Sequence, residues 1–306
     1  MQQQIPKNMF ERASVDLKEA EKLSKPSLSF WKDVFVRFRK NKLAMFGLVL
    51  LAIIVFMAIF GPMMTKYNYR TTDLMNANLA PSGDHWFGTD DLGRDMFTRT
   101  WNGARISLFI GLAAALIDLF IGVIWGSVAG YRGGRVDEFM MRFADILWGV
   151  PYLLLVILLM VVLDQGLGTM ILAMTITGWI NMARIVRGQV LGLKNQEYVM
   201  ASQTLGASTS RILFKHLIPN SMGAILITVT LSIPSAIFTE AFLSFLGLGV
   251  PAPKASWGTM ANDGLAALRY YPWRLFFPAT FICLTIFAFN VIGDGLRDAL
   301  DPRLRK

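Results

Sequence analysis

NQEYVMASQTLGASTSRILFKHLIPN, residues 195–220, is the stretch on which the reading of the whole chain turns. It is polar and basic, it has helical spacing and it stops at a proline, yet apolar segments long enough to cross a bilayer lie on both sides. Tyr198, Ala201, Ser202 and Leu205 fall at i, i+3, i+4 and i+7, one face of a two-turn helix. Gly206 ends that helix, because glycine takes the left-handed C′ position without steric cost. The spacing predicts a second short helix over 208–216, with Arg211 and Lys215 on its surface. Pro219 then closes it and turns the chain into the next apolar run. Two short helices at an angle, with small residues such as Ala201 and Ala207 outward, make a compact knob for a partner's groove. An ordinary interfacial helix–loop–helix has the same spacing.

The flanking segments set the class. The chain is 54% hydrophobic and 17% charged, against about 25% charged in soluble domains, so it belongs with membrane proteins. One cysteine, Cys283, lies in an apolar run and the two histidines, His85 and His216, are far apart; neither a disulfide framework nor a Cys or His metal centre is expected. The net charge of +9 tracks the loops between apolar runs, which points to membrane topology and lipid, not to nucleic acid.

An all-α, polytopic membrane fold with about six transmembrane helices follows from the apolar runs. They are 43–64, 106–130, 146–163, 170–183 with a polar continuation through Asn181, Arg184 and Arg187, 221–246 and 275–292. Between them lie a loop over 65–105 that includes Trp101, a short polar turn at 131–138, a tight turn at 164–169, the loop at 195–220 and an excursion over 247–274. Residues 1–42 read as a tail whose second half, with Trp31, Val34, Phe35 and Phe38 among basic residues, suits a bilayer surface or simply flanks the first span. Placing both termini in the cytosol puts 22 of the 30 Lys and Arg residues on that side, as the positive-inside rule requires. Trp257, Tyr270, Tyr271 and Trp273 then form an aromatic belt at the outer ends of the last two spans. Gly122, Gly126 and Gly130 recur at four-residue steps, spacing that lets helix backbones approach closely.

MASQTLG (200–206), followed nine residues later by HLIP (216–219), resembles the EAA loop of ABC-importer permeases, EAA-x3-G-x9-I-x-L-P. Ala201, Gly206 and Pro219 match at the right spacing, whereas Met200, Ser202, His216 and Ile218 depart from the pattern. HWFGTDDLGRD with GARISL (85–108), TEAFLSFLGLG (239–249) and GDGLRDALDPR (293–303) extend the similarity to nearly the whole chain. Together they resemble the peptide/nickel branch of binding-protein-dependent permeases, and within it the C-type subunits of oligopeptide importers. The resemblance implies a type I ABC-importer transmembrane domain over 106–306. Its coupling loop would dock on one of two ATP-binding subunits through Tyr198, Ala201, Ser202, Leu205, Gly206, Ala207 and Pro219. It also implies a second, B-type permease subunit, an extracytoplasmic peptide-binding protein and an oligopeptide substrate, or another of the same branch (a dipeptide, a glutathione-like peptide or nickel), in the cytoplasmic membrane of a bacterium. The chain has no GxxxxGK[ST], so no cofactor of its own is expected; ATP and Mg would be held by the partner subunits.

Thr228, Ser232, Ser235 and Thr239 recur at steps of four, three and four around Pro234, one polar stripe along the fifth span. Such a stripe suits a water-filled path, or hydroxyls bonded to neighbouring helices or to their own carbonyls. Glu240 adjoins it and Asp118 lies within the second span; an ionisable residue there is a site by default. A peptide ammonium is a natural counter-ion for Glu240, as are an internal salt bridge or hydrogen bonds to a protonated carboxyl. Proton coupling through these two acids would make a secondary transporter instead. HWFGTDDLGRD lacks the regular ligand positions of a calcium loop and reads as a folded external loop.

Overall fold

The computed structural model describes residues 30–301; the charges at Lys7, Arg12, Lys18 and Arg303 lie outside them. Among the described residues, five helices are long and apolar enough to cross a membrane, or six if a pair of helices bent by 78° counts as one span. The first helix, α1 (Phe30–Lys40), turns Val34 and Phe38 onto Leu226, Ile227, Leu296 and Ala299, and leaves Trp31 and Phe35 exposed. Asn41 caps the next helix, α2 (Lys42–Phe60), by accepting from the N–H groups of Leu43 and Ala44.

α3 (Met96–Arg132) begins ten residues before the expected second span and, at 37 residues, is about 55 Å long. Asp95 fixes its start. Its carboxylate accepts from the Thr98 N–H at 2.8 Å and the Thr98 hydroxyl at 2.7 Å, and lies 2.9 Å from His85 Nδ1. Trp101, expected in a loop, is therefore buried inside a helix against Phe97 and Phe281. The HWFGTDDLGRD stretch folds around Asp90, which accepts from the N–H groups of Leu92 and Arg94 and pairs with the guanidinium groups of Arg94 and Arg99. Gly88 and Gly93 supply its two left-handed turns, at φ of 76° and 71°.

The turn expected at 131–138 is only the glycine pair Gly133 and Gly134; from there α4 (Gly134–Trp148) runs as an amphipathic helix. α5 (Tyr152–Val162) follows at a 78° bend. The expected third span, 146–163, is thus broken, and the 11 residues of α5 rise only about 16 Å, half the hydrocarbon thickness. Pro151 sits in extended geometry (ψ 116°) at the break.

α6 (Leu167–Leu193) carries the fourth span on through Asn181, Arg184 and Arg187, as its polar continuation implies. α3 and α6 pack along one another, and the small residues set the distance. A Cβ on Gly122 would lie 2.7 Å from Met182 Cγ, one on Gly126 would strike the Ala183 carbonyl, and one on Gly130 would lie 3.0 Å from the Arg187 carbonyl. Arg187 closes this interface at its end by a bidentate pair to Asp137 of α4 at 2.6 and 2.7 Å.

α7 (Glu197–Thr204) and α8 (Thr209–Ile212) form the 195–220 segment, with a π-helical turn Leu213–Leu217 after α8. α9 (Ile218–Leu243) follows without interruption, so Pro219 does not turn the chain as expected. It occupies the first turn of α9, and the π turn ahead of it lets the helix continue around its missing N–H. α9 packs on α3, α6 and α11 (Trp273–Leu300), and α10 (Trp257–Ala267) fills the space between α9 and α11. Trp257 is fully buried there, its N–H groups bonded to Ser107 Oγ and, through the indole, to the Thr100 carbonyl at 2.8 Å. It is a core residue and not part of an interfacial belt; Tyr270, 71% exposed, keeps a surface position.

Candidate functional site

The 195–220 segment is built around a short helix fixed at its C-terminal end. Gly206 stands at φ 78°, its N–H bonds the Gln203 carbonyl and the Ala207 N–H bonds the Ser202 carbonyl. That pair of bonds is a Schellman motif with glycine at C′, so the end of α7 is fixed in direction. Val199, one position off the face picked out by spacing, is the residue that anchors α7, fully buried in a cluster with Ile212, Leu213 and Leu217. An apolar residue on an otherwise polar two-turn helix was the available signal for it. Tyr198 and Ser202 turn toward His216: Ser202 Oγ donates to the Tyr198 carbonyl at 2.8 Å and lies 3.5 Å from His216 Nε2. Ala201 and Leu205 face outward, Leu205 with 87% of its surface exposed. Pro219 and Ala207 lie at the base, so the seven residues share one segment but not one surface.

The hydroxyl stripe lies elsewhere on the molecule. Thr228, Ser232, Ser235 and Thr239 line a cavity of about 630 Å³, facing Asp118 of α3, Trp148 of α4, Tyr152 of α5 and Thr177 and Asn181 of α6. Each of the four hydroxyls donates to the carbonyl four residues earlier in α9, at 2.8, 2.9, 3.2 and 2.8 Å. The reading of hydroxyls bonded to their own carbonyls describes all four, and the same oxygens line the cavity. Thr177 and Asn181 were missed as cavity residues, although their four-residue spacing on α6 matches the stripe they face.

Glu240 is not in that cavity. It is fully buried on the opposite side of α9, where its carboxyl accepts from Ser107 Oγ of α3 at 3.0 Å, Ser244 Oγ at 2.9 Å and Ser256 Oγ at 2.5 Å. Three hydroxyls already donate to it, and it is buried out of reach of a substrate counter-ion. Successive helix positions are about 100° apart, so the residue after Thr239 points away from the stripe. The expectation that Glu240 adjoins the path is corrected accordingly.

Comparison with known proteins then places this arrangement. Residues 122–306, which hold the knob and all of α6 and α9, match the family of binding-protein-dependent transport system inner membrane components. The chain belongs to this family of permeases. A second family model, the N-terminal TM domain of oligopeptide transport permease C, matches residues 29–81. Over 304 residues the permease is 73% identical to the oligopeptide transport system permease protein OppC of Bacillus subtilis (strain 168), covering 99% of this chain and 100% of that one. It is 60% identical over 304 residues to the dipeptide transport system permease protein DppC of the same organism, covering 99% and 95%. To OppC of Escherichia coli (strain K12) it is 44% identical over 288 residues, covering 94% and 95%. The permease is accordingly an OppC/DppC-like, multi-pass membrane protein, helical without strands among the described residues, and a transport component.

Proposed function

We propose that this permease is one of two membrane subunits of an ATP-driven importer of oligopeptides. It lines half of the translocation path and takes its motion from an ATP-binding subunit docked on the 195–220 knob. The observation that carries the coupling role is the knob itself: an apolar, nearly fully exposed Leu205 beside Ala201, held in a fixed direction by the Gly206 motif. Leu205, with Met200 and Phe214 also exposed on the same segment, makes an apolar surface built to be covered. Oligopeptides are favoured because the relatives with the highest identity given above are named for oligopeptide and dipeptide transport. ATP and Mg belong to the two partner ATPases, a B-type permease supplies the other half of the path, and a peptide-binding protein delivers substrate from outside. The knob and both termini face the cytosol, in keeping with the distribution of Lys and Arg. The loop around Asp90 faces the binding protein or seals the outer mouth.

Two substitutions test the coupling. Gly206→Pro locks φ near −65° where the chain needs 78°, and removes the N–H that bonds Gln203. Ala201→Asp leaves the backbone alone and puts a charge on the docking face. Both are expected to insert normally, yet to lower ATP-dependent uptake of a labelled oligopeptide by about tenfold or more, the equivalent of at least about 1.4 kcal/mol. Normal uptake in either variant counts against the coupling role. Uptake that survives removal of the ATPase subunits but collapses with the proton gradient would establish the secondary transporter instead.

A further inference from the structure

The cavity beside α9 has a chemical bias that neither its shape nor the family match assigns. The hydroxyl protons of Thr228, Ser232, Ser235 and Thr239 are all committed to their own helix, so what these side chains present to the cavity is lone pairs. A hydroxyl has one proton and two acceptor sites, and once the proton is used the group is an acceptor only. Opposite them stands Asp118, the one carboxyl group among the described residues lining the cavity. Asp118 Oδ1 is buried without a hydrogen-bond partner. Its place depends on Gly178 of α6, where an added Cβ would lie 2.7 Å from that oxygen. Among the described residues, no arginine or lysine lines the cavity to neutralise it.

A lone carboxyl facing a wall of acceptors suits a ligand rich in N–H donors and carrying positive charge. An ammonium group has three donors and no acceptor. A carboxylate, by contrast, would meet Asp118 and the α9 lone pairs, and would find donors only on the other walls, at Trp148, Tyr152, Thr177 and Asn181. We propose that Asp118 receives the primary ammonium of a peptide in transit, with the α9 hydroxyl oxygens accepting from its N–H groups, and so orients the peptide in the membrane. This rests on the peptide-importer reading above, and it moves the counter-ion role from Glu240, which is sealed, to Asp118, which is open to the cavity.

The test uses the assembled importer in nanodiscs, with its partner subunits made cysteine-free, Cys283→Ser in this chain and Ser235→Cys as a reporter in the cavity wall. Modification is followed in the resting complex without ATP, so a failure of coupling or uptake leaves the measurement intact. Relative to their rates with free thiol, a cationic methanethiosulfonate is expected to outpace an anionic one by about tenfold or more, within the range that focused charge gives. Asp118→Asn should erase that preference and Asp118→Glu retain it. Tetraalanine with a free amino terminus should slow the modification, N-acetyl-tetraalanine should not, and Asp118→Asn should abolish the difference. Protection by N-acetyl-Ala-Ala-Ala-Lys supports an ammonium supplied by a side chain; its absence, with protection by tetraalanine, supports the terminus. Equal rates for the two reagents, or no difference between the free and acetylated peptides, overturns the proposal.

Discussion

Glu240→Ala is expected to deplete the assembled permease from the membrane, and not merely to slow it. The carboxyl joins three elements: Ser107 on α3, Ser244 just past α9 and Ser256 at the start of α10. Ser256 is also the N-cap of α10, in a reciprocal capping box with Thr259, and Ser107 Oγ accepts the Trp257 N–H at 3.1 Å. Alanine leaves three buried hydroxyls without their acceptor and a void where the side chain stood. With about 1–3 kcal/mol for each group left unsatisfied and partial relaxation, the loss should be about 3–5 kcal/mol. That is a large fraction of a stability of about 5–15 kcal/mol. Glu240→Gln keeps the volume and one acceptor oxygen and should cost less. The measurements are the amount of inserted protein and the thermal midpoint of the purified complex. If Glu240→Ala inserts and melts normally but transports poorly, Glu240 acts in the path and its assignment as a structural hub fails.

Gly126→Leu is expected to separate α3 from α6. At this position the two backbones touch: a Cβ would strike the Ala183 carbonyl and lie 3.0 Å from Ala183 Cα, and backbone cannot rotate away as a side chain would. Even one methyl group requires a helix shift, and overpacking of this kind typically costs about 1–3 kcal/mol before any larger side chain is accommodated. Leucine should therefore abolish assembly, while Gly126→Ala should lower the melting midpoint measurably. Gly188→Ala and Gly192→Ala, on α6 where nothing lies within 4 Å, are the matched controls and should be neutral or slightly stabilising. Equal midpoints for Gly126→Ala and the controls would show that the close approach is not needed.

What could be read from residues alone follows how local each signal is. Spans made of uniform apolar runs were legible, because bilayer thickness sets a length and the window needs no partner. The broken span was not: residues 146–163 remain apolar across Gly149 and Pro151, so hydropathy passes over a 78° bend. Gly206 was legible because a helix end with positive φ has few other solutions. Trp257 was misplaced because an aromatic residue near the end of a span looks the same whether it meets lipid headgroups or, as here, the Thr100 carbonyl of another helix. The hydroxyl stripe was legible as a stripe; what it faces, and that Asp118 rather than Glu240 stands across from it, is decided by α3 and α6 from far away in sequence.

The π turn that carries the chain past Pro219 has a mechanical consequence. From Thr209 through the π turn to Leu243 no loop interrupts the helical path, about 50 Å long, with the knob's second half at one end and the neighbourhood of Glu240 at the other. A loop at this junction would absorb a pull as slack. A helical path without one does not: on the coupling proposed above, a tilt imposed at the knob would reach the cavity wall and, through Glu240 on another face of the same helix, the three serines bound to it.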